Sequence, residues 1–242
     1  MEPLKILMIA TSHGQLGDSG RKTGLWLETL AAPYLIFREA GALITIASPK
    51  GGEIPLDPRS ESIIVATSYT RKFQKDPVAS SLLLRSVALN TLNAMNYHLV
   101  LLCGGHGAMW DLADNAALTR LLEDFVRQNR LIATVSQGAA ALASLHNETG
   151  EWLVKDRNLT AFSNSEEKVA GSTELMPFLL ESRLLSLGAI YTKEQNYTSY
   201  TVTDGRLMTG QNSSSSPELA RKILVYMKLN APKDEPRVIA LN

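Results

Sequence analysis

The segment from residue 131 to residue 142 constrains the fold more than any other, because it joins a strand pattern to a helix pattern with almost no loop. It reads LIATVSQGAAAL, so an apolar run ends abruptly at Ser136, and Gly138 with three alanines begins a helix. A strand-to-helix turn this sharp presents one side chain at the carboxyl edge of a parallel sheet. The segment therefore predicts an α/β protein with Ser136 at a turn of the nucleophile-elbow type.

Strand and helix patterns alternate along the first half of the chain. Apolar runs of strand length lie at residues 4–10, 43–47, 98–103 and 131–135. Helical patterns lie at residues 29–40, 76–95, 115–127 and 138–145. This order predicts a mostly parallel sheet covered on both faces, with ligands at the carboxyl ends of its strands. We expect one domain over residues 1–229 and a C-terminal tail over residues 230–242.

The charge and the cysteine content exclude several classes of protein. The chain has 24 Lys and Arg against 24 Asp and Glu, so no net field attracts nucleic acid or an anionic membrane, and we expect neither as a partner. Cys103 is the one cysteine, which rules out an intramolecular disulfide. With no run of about 20 apolar residues in the sequence, we expect a cytoplasmic protein.

A glycine-rich loop, Cys103-Gly104-Gly105-His106-Gly107, follows the strand pattern that ends at residue 103. Glycines there either end the strand or aim backbone N–H groups at a developing oxyanion, and the nearby elbow favours the second interpretation. The donors would be the N–H groups of Gly105 and Gln137. His106 is either a hydrogen-bonded loop residue or part of the pocket wall, and Cys103 is either a small buried residue or a pocket thiol.

The sequence predicts neither a metal site nor a cofactor. His13 and His98 are too isolated to form a recognisable set of metal ligands. The loop at residues 104–107 lacks the Lys-Ser/Thr pair with which a phosphate loop contacts a nucleotide and magnesium.

Several motifs together resemble the ThiJ/PfpI superfamily, which is glutamine amidotransferase-like, in its heat-shock chaperone and glyoxalase III-like branch. The resemblance extends from about residue 4 to residue 228. The motifs that carry it lie at residues 23–34, 37–41, 47–52, 104–107, 109–112, 169–171, 177–181 and 209–212.

This resemblance implies a flavodoxin-like three-layer sandwich, usually dimeric, with a cysteine and a histidine at the elbow. Members of the branch convert methylglyoxal to lactate without glutathione, and some act as holdase chaperones. Here Ser136 stands at the cysteine position and Gln137 at the histidine position. Glu28 matches the carboxylate that touches the sulfur, and the acid that orients the histidine aligns with Glu167 or, alternatively, with Glu166.

The two replacements at the elbow disfavour the chemistry of the family. A cysteine reacts as its thiolate, whereas a serine hydroxyl must give its proton to a base, which Gln137 cannot be. We therefore expect a stress-type pseudoenzyme, a homodimer, that binds a small carbonyl ligand or unfolded protein clients. The alternative is a hydrolase or amidase in which Ser136 attacks and Glu28 acts as the base.

Overall fold

The computed structural model describes residues 2–230, so the predicted tail from residue 231 onward lies outside the described residues. Seven strands form the main sheet, in the spatial order β3-β2-β1-β4-β5-β9-β8. Their bounds are β1 Lys5–Ile9, β2 Leu43–Ser48, β3 Val87–Ala88, β4 Leu99–Leu102, β5 Leu131–Val135, β8 Thr201–Asp204 and β9 Leu207–Gly210. All neighbouring strands are parallel except β8, which pairs with β9 in an antiparallel hairpin. Strands β6 (Asn158–Leu159) and β7 (Ile190–Tyr191) form a separate parallel pair.

Eight α-helices accompany the sheet in the described part of the chain. They are α1 Leu27–Glu39, α2 Ser68–Lys75, α3 Pro77–Leu83, α4 Ala108–Asp111, α5 Ala116–Arg127, α6 Asn164–Val169, α7 Leu180–Ser186 and α8 Ser216–Leu229. None of the described helices combines the length and apolarity that a membrane crossing requires.

The sheet is buried on both faces because successive side chains of a strand point to opposite sides. In β1, Ile6 and Met8 join an apolar cluster with residues of α1 and α8. Leu7 and Ile9 join a second cluster with residues of α5, α7 and the turn after β5. This arrangement confirms the predicted α/β sandwich with a mostly parallel sheet.

Two predicted helices differ from the structure. The helix predicted over residues 76–95 ends at Leu83, because Gly52 and Ser86 exchange backbone hydrogen bonds and draw the chain alongside the end of β2. Its start was correct, since the Asp76 carboxylate accepts the first free N–H groups of α3. The helix predicted over residues 138–145 is a 3-10 helix at Ser136–Ser144.

Two glycines let the loop after β4 and the turn after β5 touch through their backbones. A Cβ on Gly138 would lie 2.2 Å from the carbonyl oxygen of Leu102, and a Cβ on Gly104 would lie 2.5 Å from that of Val135. Both distances are far below van der Waals contact. Any larger residue at either position must therefore separate the carboxyl ends of β4 and β5.

We predict that Gly138→Ala destabilises the protein by about 3 kcal/mol or more, since the opposing atom is a strand carbonyl that cannot move aside. The midpoint of thermal unfolding should fall by roughly 6–12 °C. The matched control is Gly41→Ala, which adds a Cβ in open space at a φ of +78° and should cost only about 1–2 kcal/mol. Equal losses in the two variants would contradict the close contact.

Candidate active site

A cavity of about 580 Å³ opens at the carboxyl ends of β4 and β5. Most of its surface is apolar, with Trp26, Val65 and Phe162 contributing, and its polar groups come from several separate segments of the chain. The polar or charged lining residues are Glu28, Arg59, Thr67, His106, Ser136, Gln137, Tyr197, Ser213 and Ser214. The structure thus brings the predicted residues Glu28, Ser136 and Gln137 together in one pocket.

Ser136 has the backbone geometry of an elbow but hydrogen bonds only to its neighbour. Its φ is +58°, a left-handed value that is uncommon for a residue with a side chain and typical of strained functional turns. Its hydroxyl donates to Oε1 of Gln137 at 2.6 Å. Both residues are 3% exposed, so this contact is almost fully buried at the cavity wall.

The Gln137 side chain also accepts a hydrogen bond from the N–H of Gly105, one of the two N–H groups that were predicted to stabilise an oxyanion. The N–H of Gly105 donates to Oε1 of Gln137 at 3.2 Å. Because a backbone N–H can only donate, the amide atom that faces it must be the oxygen. The carbonyl of Gln137 therefore lies between two donors, the hydroxyl of Ser136 and the N–H of Gly105.

Glu28 is a buried carboxyl held by a single hydroxyl. Thr67 Oγ1 accepts the N–H groups of Tyr69 and Thr70, so its own proton must go to Glu28 Oε2, which lies 2.5 Å away. Burial raises the pKa of Glu28 to about 7, although the hydrogen bond from Thr67 lowers it. Glu28 can therefore exchange a proton near neutral pH.

The predicted dyad of Ser136 and Glu28 is not formed in this structure. The hydroxyl of Ser136 donates its hydrogen bond to Gln137, and the carboxyl of Glu28 accepts a hydrogen bond from the hydroxyl of Thr67. The two residues share the cavity wall without a hydrogen bond between them.

His106 lines the cavity and is locked between an acid and a guanidinium. Its Nε2 lies 2.7 Å from Oε1 of Glu167, and its Nδ1 lies 3.0 Å from a terminal nitrogen of Arg59. Because a guanidinium has no acceptor, Nδ1 must accept, and the ring proton therefore sits on Nε2 and is donated to Glu167. Both interpretations of His106 from the sequence hold, since it is hydrogen-bonded and also faces the pocket.

Arg59 is held in turn by Asp57, a fully buried residue. The guanidinium donates from Nε and Nη2 to the two carboxylate oxygens at 3.0 and 2.7 Å. Burial alone would raise the pKa of Asp57, but the hydrogen bonds from Arg59 outweigh it and hold that pKa below its ordinary value. The resulting ion pair stays charged across the neutral range and orients Arg59 toward His106.

The structure distinguishes the two candidate acids of the α6 segment. Glu166 is fully buried and accepts the N–H of Tyr197 and the side-chain amide of Asn212, both at 2.8 Å, so its contacts are internal. Glu167 instead accepts the hydrogen bond from Nε2 of His106. Glu167 is thus the acid beside the cavity, although its partner is His106 and not residue 137.

None of Cys103, Gly104 and Gly105 lines the cavity, so Cys103 is the small buried residue of its two interpretations and not a pocket thiol. Cys103 is fully buried in the apolar cluster beneath α1, because its side chain points to the face of the sheet opposite the elbow turn, and burial raises the pKa of its thiol above the usual range. Gly104 offers its carbonyl to the N–H of Trp26 and the hydroxyl of Thr29 at 3.0 and 2.9 Å. It therefore anchors the start of α1 and so positions Glu28.

Sequence reasoning missed nine of the thirteen residues of the pocket wall, among them the polar residues Arg59, Thr67 and Tyr197. The segment Asp57-Pro58-Arg59 signals a capped turn, and Thr67 caps α2, but neither signal indicates that the side chains reach a cavity. In the part of the chain that the structure describes, no three His, Cys, Asp or Glu side chains converge to hold a metal ion.

We predict that Glu28→Gln changes the pH dependence of stability. The folded pKa of about 7 exceeds the ordinary value of 4.5, so the folded state keeps its proton while the unfolded chain loses it. The native chain should therefore lose up to roughly 3 kcal/mol between those two pH values, and the variant should not. Denaturant unfolding at a series of pH values measures the difference. If the free energy of unfolding changed with pH in the same way in both proteins, the raised pKa of a buried Glu28 would be contradicted.

Comparison with known proteins places this chain in a family. The model of the DJ-1/PfpI family matches residues 27–225. "Glyoxalase 3" of Candida albicans is 25% identical over 244 residues, covering 94% of this chain and 100% of that protein. "Glutathione-independent glyoxalase HSP31" of Saccharomyces cerevisiae is 25% identical, with 94% and 100% covered.

Two solved structures have the same fold. The Rapid Encystment Protein 24 KDa of Francisella tularensis superposes with a TM-score of 0.87 at 36% identity, covering 91% of this chain and 97% of that one. The glyoxalase III structure from Candida albicans, at 24% identity, has a TM-score of 0.84 and shows the same fold, with 92% and 96% covered. The chain belongs to the DJ-1/PfpI family, in its glyoxalase III-like branch.

Proposed function

We propose that this protein binds a small carbonyl compound in the cavity beside Ser136 and has little or no glutathione-independent glyoxalase activity. The observation that carries the proposal is the position of the Gln137 carbonyl between the hydroxyl of Ser136 and the N–H of Gly105. A glyoxalase of this branch needs a nucleophile at residue 136 and a base at residue 137. This chain has a hydroxyl and an amide there instead.

The hydrogen bonds around Ser136 support the loss of nucleophilic chemistry. A serine attacks only when a base takes its proton, and the amide oxygen that accepts from Ser136 cannot hold that proton at neutral pH. Glu28, the base predicted from the sequence, accepts a hydrogen bond from Thr67 and forms none with Ser136. In this structure, therefore, no base is positioned to take the proton of the Ser136 hydroxyl.

The lining of the cavity supports a ligand with a carbonyl and an apolar substituent. Trp26, Val65 and Phe162 provide the apolar wall, and the donors on Ser136 and Gly105 provide a site for one carbonyl oxygen. A few fixed polar groups on a largely apolar wall are typical of small-molecule pockets. The ligand would replace the side-chain carbonyl of Gln137 at those donors.

We predict that the native chain forms no lactate from methylglyoxal without glutathione above the rate of a buffer control. The double variant Ser136→Cys with Gln137→His restores a thiol and a base at the elbow and should gain activity. Adding Glu28→Ala to the double variant should remove that activity.

Native activity that Glu28→Ala abolishes would contradict the proposal, since the altered elbow would then still catalyse the reaction. The reverted chain serves as the positive control, because it shares the cavity and the fold. Thermal unfolding of each variant shows whether a missing activity comes from a missing fold.

Two observations favour a rival function, a Ser136-dependent hydrolase: the left-handed backbone of Ser136 and the raised pKa of Glu28. This rival predicts a covalent adduct at Ser136 after treatment with a phosphonate probe. We expect no adduct, and mass spectrometry of the intact protein with Ser136→Ala as the matched control measures it. A stoichiometric adduct in the native chain that is absent from Ser136→Ala would replace our proposal with the rival.

A further inference from the structure

A second cavity lies at the opposite end of the sheet from the elbow. Its volume is about 320 Å³, and three arginines line it: Arg130, Arg157 and Arg206. We call it the arginine cavity. Its residues are separate from those of the cavity beside Ser136.

The topology of the sheet explains why the three arginines meet. Arg130 directly precedes β5, Arg206 directly precedes β9, and Arg157 directly precedes β6. Strands β5 and β9 are parallel neighbours, with the N–H of Ile132 donating to the carbonyl of Arg206 at 2.9 Å, so their amino ends lie at the same edge. The guanidinium of Arg157 reaches this edge by donating to the carbonyl of Asp204 at 2.9 Å.

Positive charge exceeds negative charge at this edge. Arg157 lies 3.0 Å from a carboxylate oxygen of Asp204, which balances one of the three charges. Arg130 donates to the backbone carbonyls of Ala94 and Tyr97, which fix its position without neutralising it. Arg206 forms no ion pair with any residue from 2 to 230.

Of the other six residues that line the arginine cavity, four have apolar side chains. Its walls include Val126, Ile132, Leu153 and Leu207. Guanidinium groups match the planar or tetrahedral oxygens of carboxylates and phosphates, and they bind them with charge-assisted hydrogen bonds. An apolar wall beside them adds affinity for a hydrophobic substituent.

We propose that the arginine cavity binds a small molecule whose anionic group, a phosphate or a carboxylate, is attached to an apolar body. Arg206 supplies the uncompensated guanidinium, Arg130 supplies a second that backbone carbonyls hold in place, and the apolar walls cover the remainder of the ligand. This site does not depend on the function proposed for the cavity beside Ser136.

Calorimetric titration of the full chain with four probes tests the site: phenyl phosphate, benzoate, inorganic phosphate and benzyl alcohol. We expect saturable binding of phenyl phosphate or benzoate at one site per chain, weaker binding of inorganic phosphate, and no binding of benzyl alcohol. The tighter of the two aromatic anions identifies the anionic group. Failure of both to bind would overturn the proposal.

Variants assign the binding to this cavity and not to the one beside Ser136. Arg206→Gln should weaken the aromatic anion at least about tenfold, because it removes a charge-assisted pair. Arg206→Glu should abolish binding. The control is Arg85→Gln, because Arg85 is exposed and does not line the arginine cavity. This variant should bind the aromatic anion with the affinity of the native chain. Unchanged affinity in Arg206→Gln, with thermal unfolding at the native temperature, would overturn the proposal.

Discussion

The close backbone contact between the loop after β4 and the turn after β5 is the constraint on which the site depends. Gly104 and Gly138 allow it, since a Cβ at either position would overlap a strand carbonyl. The contact brings the N–H of Gly105 within reach of residue 137 and places the carbonyl of Gly104 beneath the start of α1. Ser136, Gln137 and Glu28 therefore face one cavity because two parallel strands end side by side.

Three hydrogen bonds pair polar groups in or beside the wall of that cavity. The hydroxyl of Ser136 donates to Gln137, the hydroxyl of Thr67 donates to Glu28, and the ring N–H of His106 donates to Glu167. Hydrogen bonds between buried polar groups hold their side chains in defined positions. The same pairing leaves Ser136 without a hydrogen bond to a base, so the arrangement suits binding better than nucleophilic attack.

Much of the fold and part of the site could be predicted from the sequence. The elbow at Ser136 and the helix start at Asp76 follow from local patterns, because strand periodicity, glycine and capping residues act over a few positions. The carboxyl of Glu28 followed from the resemblance to the ThiJ/PfpI superfamily. Arg59 and the hydrogen bond from Gly105 to Gln137 could not be predicted, since they join segments 30 or more residues apart. The direction of Cys103 depended on strand register, which a one-residue shift would reverse.

The most direct test of the occupied carbonyl site is the amide proton of Gly105 in two-dimensional ¹H–¹⁵N NMR spectra of the native chain and of Gln137→Ala. We expect the native proton at a hydrogen-bonded, downfield position, and an upfield shift in the variant that acetamide reverses. An amide shift that is the same in both proteins and insensitive to acetamide would contradict the claim that the Gln137 carbonyl occupies the site of a ligand carbonyl.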